Sequence, residues 1–174
     1  VTVMGFGFEL TESMTGSFHR FDDPLSDRHL RVHLRLGVDG LRRFVRERSI
    51  SARGVIVAEG LAENGGAGQP VRGVVRWKLL DENRVPYWLT FRGDDGRSYH
   101  LRGQRDFFVH DAVLSLTTMM ASLYDEAEAE IGRAVLHFEP KMELPALVRS
   151  FRPRFRAWTL ARRLDPSLPG VAEE

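Results

Sequence analysis

Through most of this chain hydrophobic residues recur at every second position. Leu30, Val32, Leu34 and Leu36 alternate with Arg31, His33 and Arg35, and period-two alternation puts the two sets on opposite faces of a strand, one of them buried. Phe6, Phe8 and Leu10 begin the same pattern, and Met14, Gly16 and Phe18 resume it, which predicts one strand bent near residues 11–13. Strand patterning returns over residues 50–59. From Val71, a further strand sets Val71, Gly73, Val75, Trp77 and Leu79 against Arg72, Val74, Arg76 and Lys78. Residues 106–110 are expected to continue or bend the sheet. Residues 113–124 suit either period, and Thr117-Thr118 favours a strand. Residues 131–138 read as the last strand, for eight or nine in all.

Turn chemistry separates these runs. Asp22, Asp23, Pro24, Ser26 and Asp27 predict a loop over residues 21–28, because Asp and Ser side chains bond local backbone and Pro fixes φ. Asp39 suits an N-cap, and Leu41, Phe44 and Val45 recur at helical spacing, so residues 40–47 suit a short helix. Asn64, Gly65, Gly66 and Gly68 mark residues 60–69 as a flexible connection, and residues 125–130 form an acidic turn. The glycine run lacks the lysine and hydroxyl residue that complete a phosphate loop.

The hairpin over residues 87–103 permits a register to be derived. A two-residue turn at Asp95-Gly96 would set Phe91 against His100 and mix apolar with polar partners. A three-residue loop of Asp94, Asp95 and Gly96 pairs Phe91 with Tyr99, Leu89 with Leu101 and Tyr87 with Gly103. Burial selects this second register. It requires Gly96 to take the left-handed conformation of a G1-type bulge, which glycine does without steric cost.

The chain changes character after Phe138. Residues 141–149 suit a short helix, and Phe155, Trp158 and Leu160 among Arg154, Arg156, Arg162 and Arg163 suggest a second one opened by Pro153. Pro166, Pro169 and Glu173-Glu174 read as a frayed end. The expected organisation is an antiparallel β-barrel domain over residues 1–139 and a basic helical tail over 140–174 that packs on the barrel or on a partner. Contact of the tail with a membrane surface is the less favoured reading.

Composition narrows the chemistry. At 174 residues the chain suits one domain, and a net charge of +1 argues against a general nucleic-acid binder. No run approaches the roughly 20 apolar residues of a membrane span. Without cysteine there are no disulfides or thiolate chemistry, which fits a cytoplasmic setting. A start at Val1 fits a processed product or an excised domain. The six histidines lack metal-ligand spacing. His33 and His100 lie opposite the apolar stripes of their strands, where a solvent-facing role outweighs an acid–base one. Glu9 and Glu12 read as surface or turn carboxylates. No serine sits in a nucleophile elbow, and Gly5-Phe6-Gly7 lacks the rest of a dinucleotide fingerprint.

Several pieces in order resemble an accessory domain associated with bacterial cholesterol-oxidase-like members of the glucose-methanol-choline oxidoreductases. They are residues 11–16 (Thr-Glu-Ser-Met-Thr-Gly) with Phe18, residues 52–55 (Ala-Arg-Gly-Val), residues 70–73 (Pro-Val-Arg-Gly), residues 87–91 (Tyr-Trp-Leu-Thr-Phe) with Gly96, residues 99–103 (Tyr-His-Leu-Arg-Gly) and residues 116–118 (Leu-Thr-Thr). The resemblance implies a β domain linked to lipid or sterol redox metabolism, without the flavin-binding part and with no cofactor of its own.

A closed antiparallel barrel removes sheet edges, and about eight strands can enclose one small ligand. A calycin- or lipocalin-like barrel is therefore the expected fold, with a two-sheet sandwich as the alternative. The expected function is non-catalytic binding of a hydrophobic ligand such as a lipid or sterol. Phe8, Met14, Phe18, Leu34, Trp77, Tyr87, Phe91 and Tyr99 are its candidate lining, although each would serve a solid core as well. The alternatives are a module docking a partner oxidoreductase through the basic tail, and an enzyme on a lipid-like substrate using His33 or His100.

Overall fold

The computed structural model describes residues 2–38, 41–78, 82–106, 117–138 and 152–159, with residues 2–8, 41–43 and 152–159 as backbone only. The strands are β1 (Thr2–Arg20), β2 (Asp23–Val38), β3 (Ser49–Ala58), β4 (Gln69–Arg76), β5 (Arg84–Arg92), β6 (Ser98–Asp106), β7 (Thr118–Tyr124), β8 (Glu130–His137) and β9 (Arg152–Thr159); one short helix, α1 (Leu41–Glu47), joins β2 to β3. Each strand from β1 to β8 pairs antiparallel with the next, and β8 returns to β1 through Thr15–His137 to Arg20–Gly132. Eight strands thus close a barrel. Closure overturns the sandwich alternative, since no edge separates two sheets.

Alternation decides what lies inside. Along β2, Leu30, Val32, Leu34, Leu36 and Val38 are buried while Arg31, His33 and Arg35 face water. The hairpin adopts the register that burial selected: Phe91 faces Tyr99, Leu89 faces Leu101 and Tyr87 faces Gly103. Gly93 N–H donates to the Arg97 carbonyl at 2.8 Å, closing a three-residue loop, and Gly96 takes φ 79°. Phe91 and Tyr99 stack with ring centroids 5.8 Å apart.

Inward-facing glycines let the strands approach closely. A Cβ on Gly73 would fall 1.9 Å from the Trp88 carbonyl oxygen, and one on Gly54 would meet the His33 oxygen at 1.8 Å. Both glycines belong to the motifs quoted above, and barrel curvature accounts for them.

One end of the barrel is closed by the connection between β3 and β4. Leu61 and Ala62 are buried there. Rather than hanging loose, this connection is clasped by Asp94 of the neighbouring hairpin, whose carboxylate accepts from Glu63 N–H at 2.7 Å, Asn64 N–H at 3.0 Å and Gln69 Nε2 at 2.9 Å.

Several boundaries differ from the sequence reading. Strand β2 begins at Asp23, so the loop expected over 21–28 shrinks to a turn at Phe21 and Asp22. Beyond the barrel rim no side of the strand is buried, so its polar composition lacked alternation. Strand β1 runs unbroken through residues 11–13. The larger correction is in the tail: residues 152–159 form strand β9, not a helix, and pair with the first half of β1 from Thr2–Thr159 to Glu9–Arg152. Arginines at 152, 154 and 156 have strand periodicity, and β1 extends beyond β2 and β8 to offer them an edge. The helices expected over 141–149 and beyond residue 159, the continuation expected over 106–110 past Asp106, and residues 113–116 of the strand expected over 113–124 lie outside the described residues.

Candidate functional site

The residues nominated as ligand lining divide into three groups. Met14, Phe18, Leu34, Tyr87, Phe91 and Tyr99 face the barrel interior and belong to its buried core, none more than 6% exposed. Trp77 does not join them: it lies past the end of β4, is 39% exposed, and its backbone N–H donates to the Arg48 carbonyl at 2.7 Å. The backbone at Phe8 pairs with Val38 and Pro153, and its side chain lies outside the described residues. Near Phe18, Leu30, Ile56, Phe91 and Leu123 the interior retains a space of only about 10 Å³, at the limit for one water molecule. This part of the barrel is a solid core.

Polar chemistry gathers inside near the opposite end. Glu12 follows the inward parity of Leu10 and Met14 and is 5% exposed, so the surface role expected for it is corrected. Its carboxylate accepts from the Tyr87 hydroxyl at 3.1 and 3.3 Å and pairs with Arg105 of β6. The Arg105 guanidinium also lies 3.1 Å from Met14 Sδ, and 5.2 and 5.3 Å from the ring centroids of Tyr87 and Phe138. Burial and the adjacent Glu12 charge push the Tyr87 hydroxyl far above its ordinary range, so it remains a proton donor to Glu12. A paired carboxylate, guanidinium and phenol can hold the barrel end together electrostatically. Sequence reasoning missed the cluster, although the parity of Glu12 with Leu10 and Met14 carried the signal.

Both histidines lie on the outer wall. His33 Nδ1 is 2.6 Å from Ser13 Oγ. His100 Nδ1 is 3.1 Å from Thr90 Oγ1, and its Nε2 is 3.7 Å from Glu128. Each is thus seated by a hydroxyl on a neighbouring strand, and the two histidines are not brought together. Among the described residues no three His, Cys, Asp or Glu side chains converge as a metal site, and no helix is long and apolar enough to cross a membrane.

The outer wall carries a groove of about 700 Å³ across β5 to β8 and β1, lined also by Asp27 of β2. Tilted, twisted strands make a barrel wall saddle-shaped, concave along the strands. Pro86, Trp88, Met120 and Val135 supply its apolar lining, with Trp88 39% and Met120 62% exposed. Val74, also exposed, lies directly opposite Trp88. Two arginines border the groove, and both are neutralised: Arg102 pairs with Glu128 and packs 4.6 Å from the Tyr124 ring, while Arg133 pairs with Glu130 at 3.2 Å.

No family model, curated protein or solved structure matches the chain.

Proposed function

We propose that this chain is a non-catalytic binding domain that carries an uncharged amphipathic ligand, a sterol or neutral lipid, on the outer wall of the barrel. The exposed Trp88–Met120–Val135 groove carries this reading. Its volume lies in the range of small-molecule sites, roughly 300–1,000 Å³. Surface apolar residues normally scatter singly; here Met120 and Val135 stand directly opposite each other, and Pro86 and Trp88 lie across β6 from them. Because Arg102 and Arg133 are already paired with glutamates and the Asp27 carboxylate also lines the groove, the rim disfavours an anion and suits an uncharged ligand whose hydroxyl meets Ser17, His19 or Gln104. The next-neighbour eight-stranded barrel supports a lipocalin-like assignment, with the ligand moved from the interior to the wall. The motif resemblance directs the choice of sterol.

Titration with the fluorescent sterol dehydroergosterol, read by energy transfer from tryptophan, tests the proposal on the whole chain. Saturable binding is expected, weakened about tenfold in Met120→Asp, with the urea midpoint unchanged. Absence of saturable binding, or equal affinity in Met120→Asp, would overturn it.

A second reading, docking of a partner oxidoreductase, is favoured by β9, where Arg152, Arg154 and Arg156 share one face of a strand ribbon that extends past the barrel. Co-purification abolished by replacing these three arginines with Gln, with sterol binding retained, would favour this reading over the first.

A further inference from the structure

The net charge of +1 conceals a segregated surface. Acidic side chains gather in the connections at one end of the barrel, including Asp22, Asp94, Asp95, Asp125 and Glu128, while outward positions of β2, β3 and β4 are rich in arginine. The registers align three of these. Arg35 stands directly opposite Arg53, and Arg53 directly opposite Arg72. Direct opposition puts all three on one face, and strands are about 4.8 Å apart, so their Cα atoms fall within roughly 10 Å. Like charges placed directly opposite each other weaken a sheet.

The row has little internal compensation. Arg35 reaches Glu9 at 3.4 Å with its side chain 70% exposed. Among the described residues Arg53 and Arg72 form no ion pair, and both are exposed. Beside the row lies a cavity of about 500 Å³ lined by Glu9, His33, Arg35, Ser51 and Arg53. Ser13 engages His33 at Nδ1, which leaves Nε2 as the ring atom for a ligand.

We infer that the Arg35–Arg53–Arg72 row is a binding site for a soluble anion carrying two or more phosphate groups. Guanidinium forks match phosphate oxygens, and a ligand with several phosphates spans the whole row of roughly 10 Å, where a single phosphate reaches only part of it. None of the row's three arginines lines the groove, so the site stands independently of the sterol reading.

Calorimetric titration of the full chain with sodium tripolyphosphate at low ionic strength tests this, with inorganic phosphate and phosphatidylglycerol vesicles as comparison ligands. Saturable binding of tripolyphosphate is expected, weaker for inorganic phosphate and weakened by added salt. Arg53→Gln with Arg72→Gln should weaken it about tenfold or more, and Arg133→Gln on the far wall should not. Tripolyphosphate should raise the unfolding temperature of the wild type but not of the double variant. Without ligand, that variant should be at least as stable as the wild type, because repulsion is relieved, so lost binding would not reflect unfolding. Affinity within twofold of wild type in the double variant, an equal loss in Arg133→Gln, or binding confined to the vesicles would overturn the assignment.

Discussion

Replacing Arg105 by Met probes the charged cluster that Glu12, Tyr87 and Arg105 form inside the barrel. The Arg105 side chain is 12% exposed and that of Glu12 5%. Removing the guanidinium leaves a buried carboxylate with the Tyr87 hydroxyl as its remaining donor from the cluster. Breaking one side of a buried ion pair typically costs about 3–5 kcal/mol, because the other charge stays desolvated. The lost approach to the Tyr87 and Phe138 rings adds roughly 0.5–1 kcal/mol, part of which the methionine thioether recovers. A domain is stable by about 5–15 kcal/mol in total. The unfolding temperature should therefore fall by roughly 10 °C, at about 2–4 °C per kcal/mol for this size. Urea titration at neutral pH, followed by circular dichroism and checked for constant m, reads the loss. Glu12→Gln removes the charge while keeping an acceptor for Tyr87, so the double variant should recover about 2 kcal/mol relative to Arg105→Met alone. A cost below about 1 kcal/mol for Arg105→Met, or simple additivity of the two substitutions, would refute the view that the pair is a desolvated unit.

Other substitutions isolate the remaining devices. Gly73→Ala forces a Cβ to within 1.9 Å of the Trp88 oxygen and should cost about 3 kcal/mol or more, whereas Gly96→Ala, with open space but φ 79°, should cost about 1–2 kcal/mol; urea midpoints in the reverse order would contradict the close-approach argument. The Glu63 amide, the Gln69 amide group and the Asn64 amide hold the Asp94 carboxyl below its ordinary 3.8, and the Tyr99 hydroxyl with the Arg97 amide lowers Asp95. Groups depressed in the folded state stabilise it above the unfolded value and lose that effect as pH falls through the folded value. Urea midpoints should consequently drop below about pH 4, and Asp94→Asn with Asp95→Asn should flatten that decline; an equally steep acid limb in the double variant would count against the clasp. Tyr99→Phe should return the Asp95 titration toward its ordinary value in a carboxyl NMR titration.

The legible parts of this fold share a property: they are local. Alternation within residues 30–36 and the loop at Asp94–Asp95–Gly96 lie within a few positions of one another, so burial and turn chemistry fix faces and register together. Misreadings of strand boundaries arose where a strand left the barrel. At residues 23–28 and 152–159 the local composition does not tell whether another strand lies alongside. Asp94, read as a loop residue, became a clasp because Glu63 and Asn64 arrive from another hairpin.

By itself the sequence determined an antiparallel β domain, the inward and outward face of most strands, and the central hairpin with its left-handed glycine. Only the tertiary structure decided that eight strands close, that β9 extends β1, that Glu12 meets an arginine 93 positions away, and that Arg35, Arg53 and Arg72 stand in one row. The reason is physical. Period two is a property of one strand, but what a side chain faces across the barrel or along the wall depends on the register of several strands at once, and each register is fixed only when the others bury their faces against it.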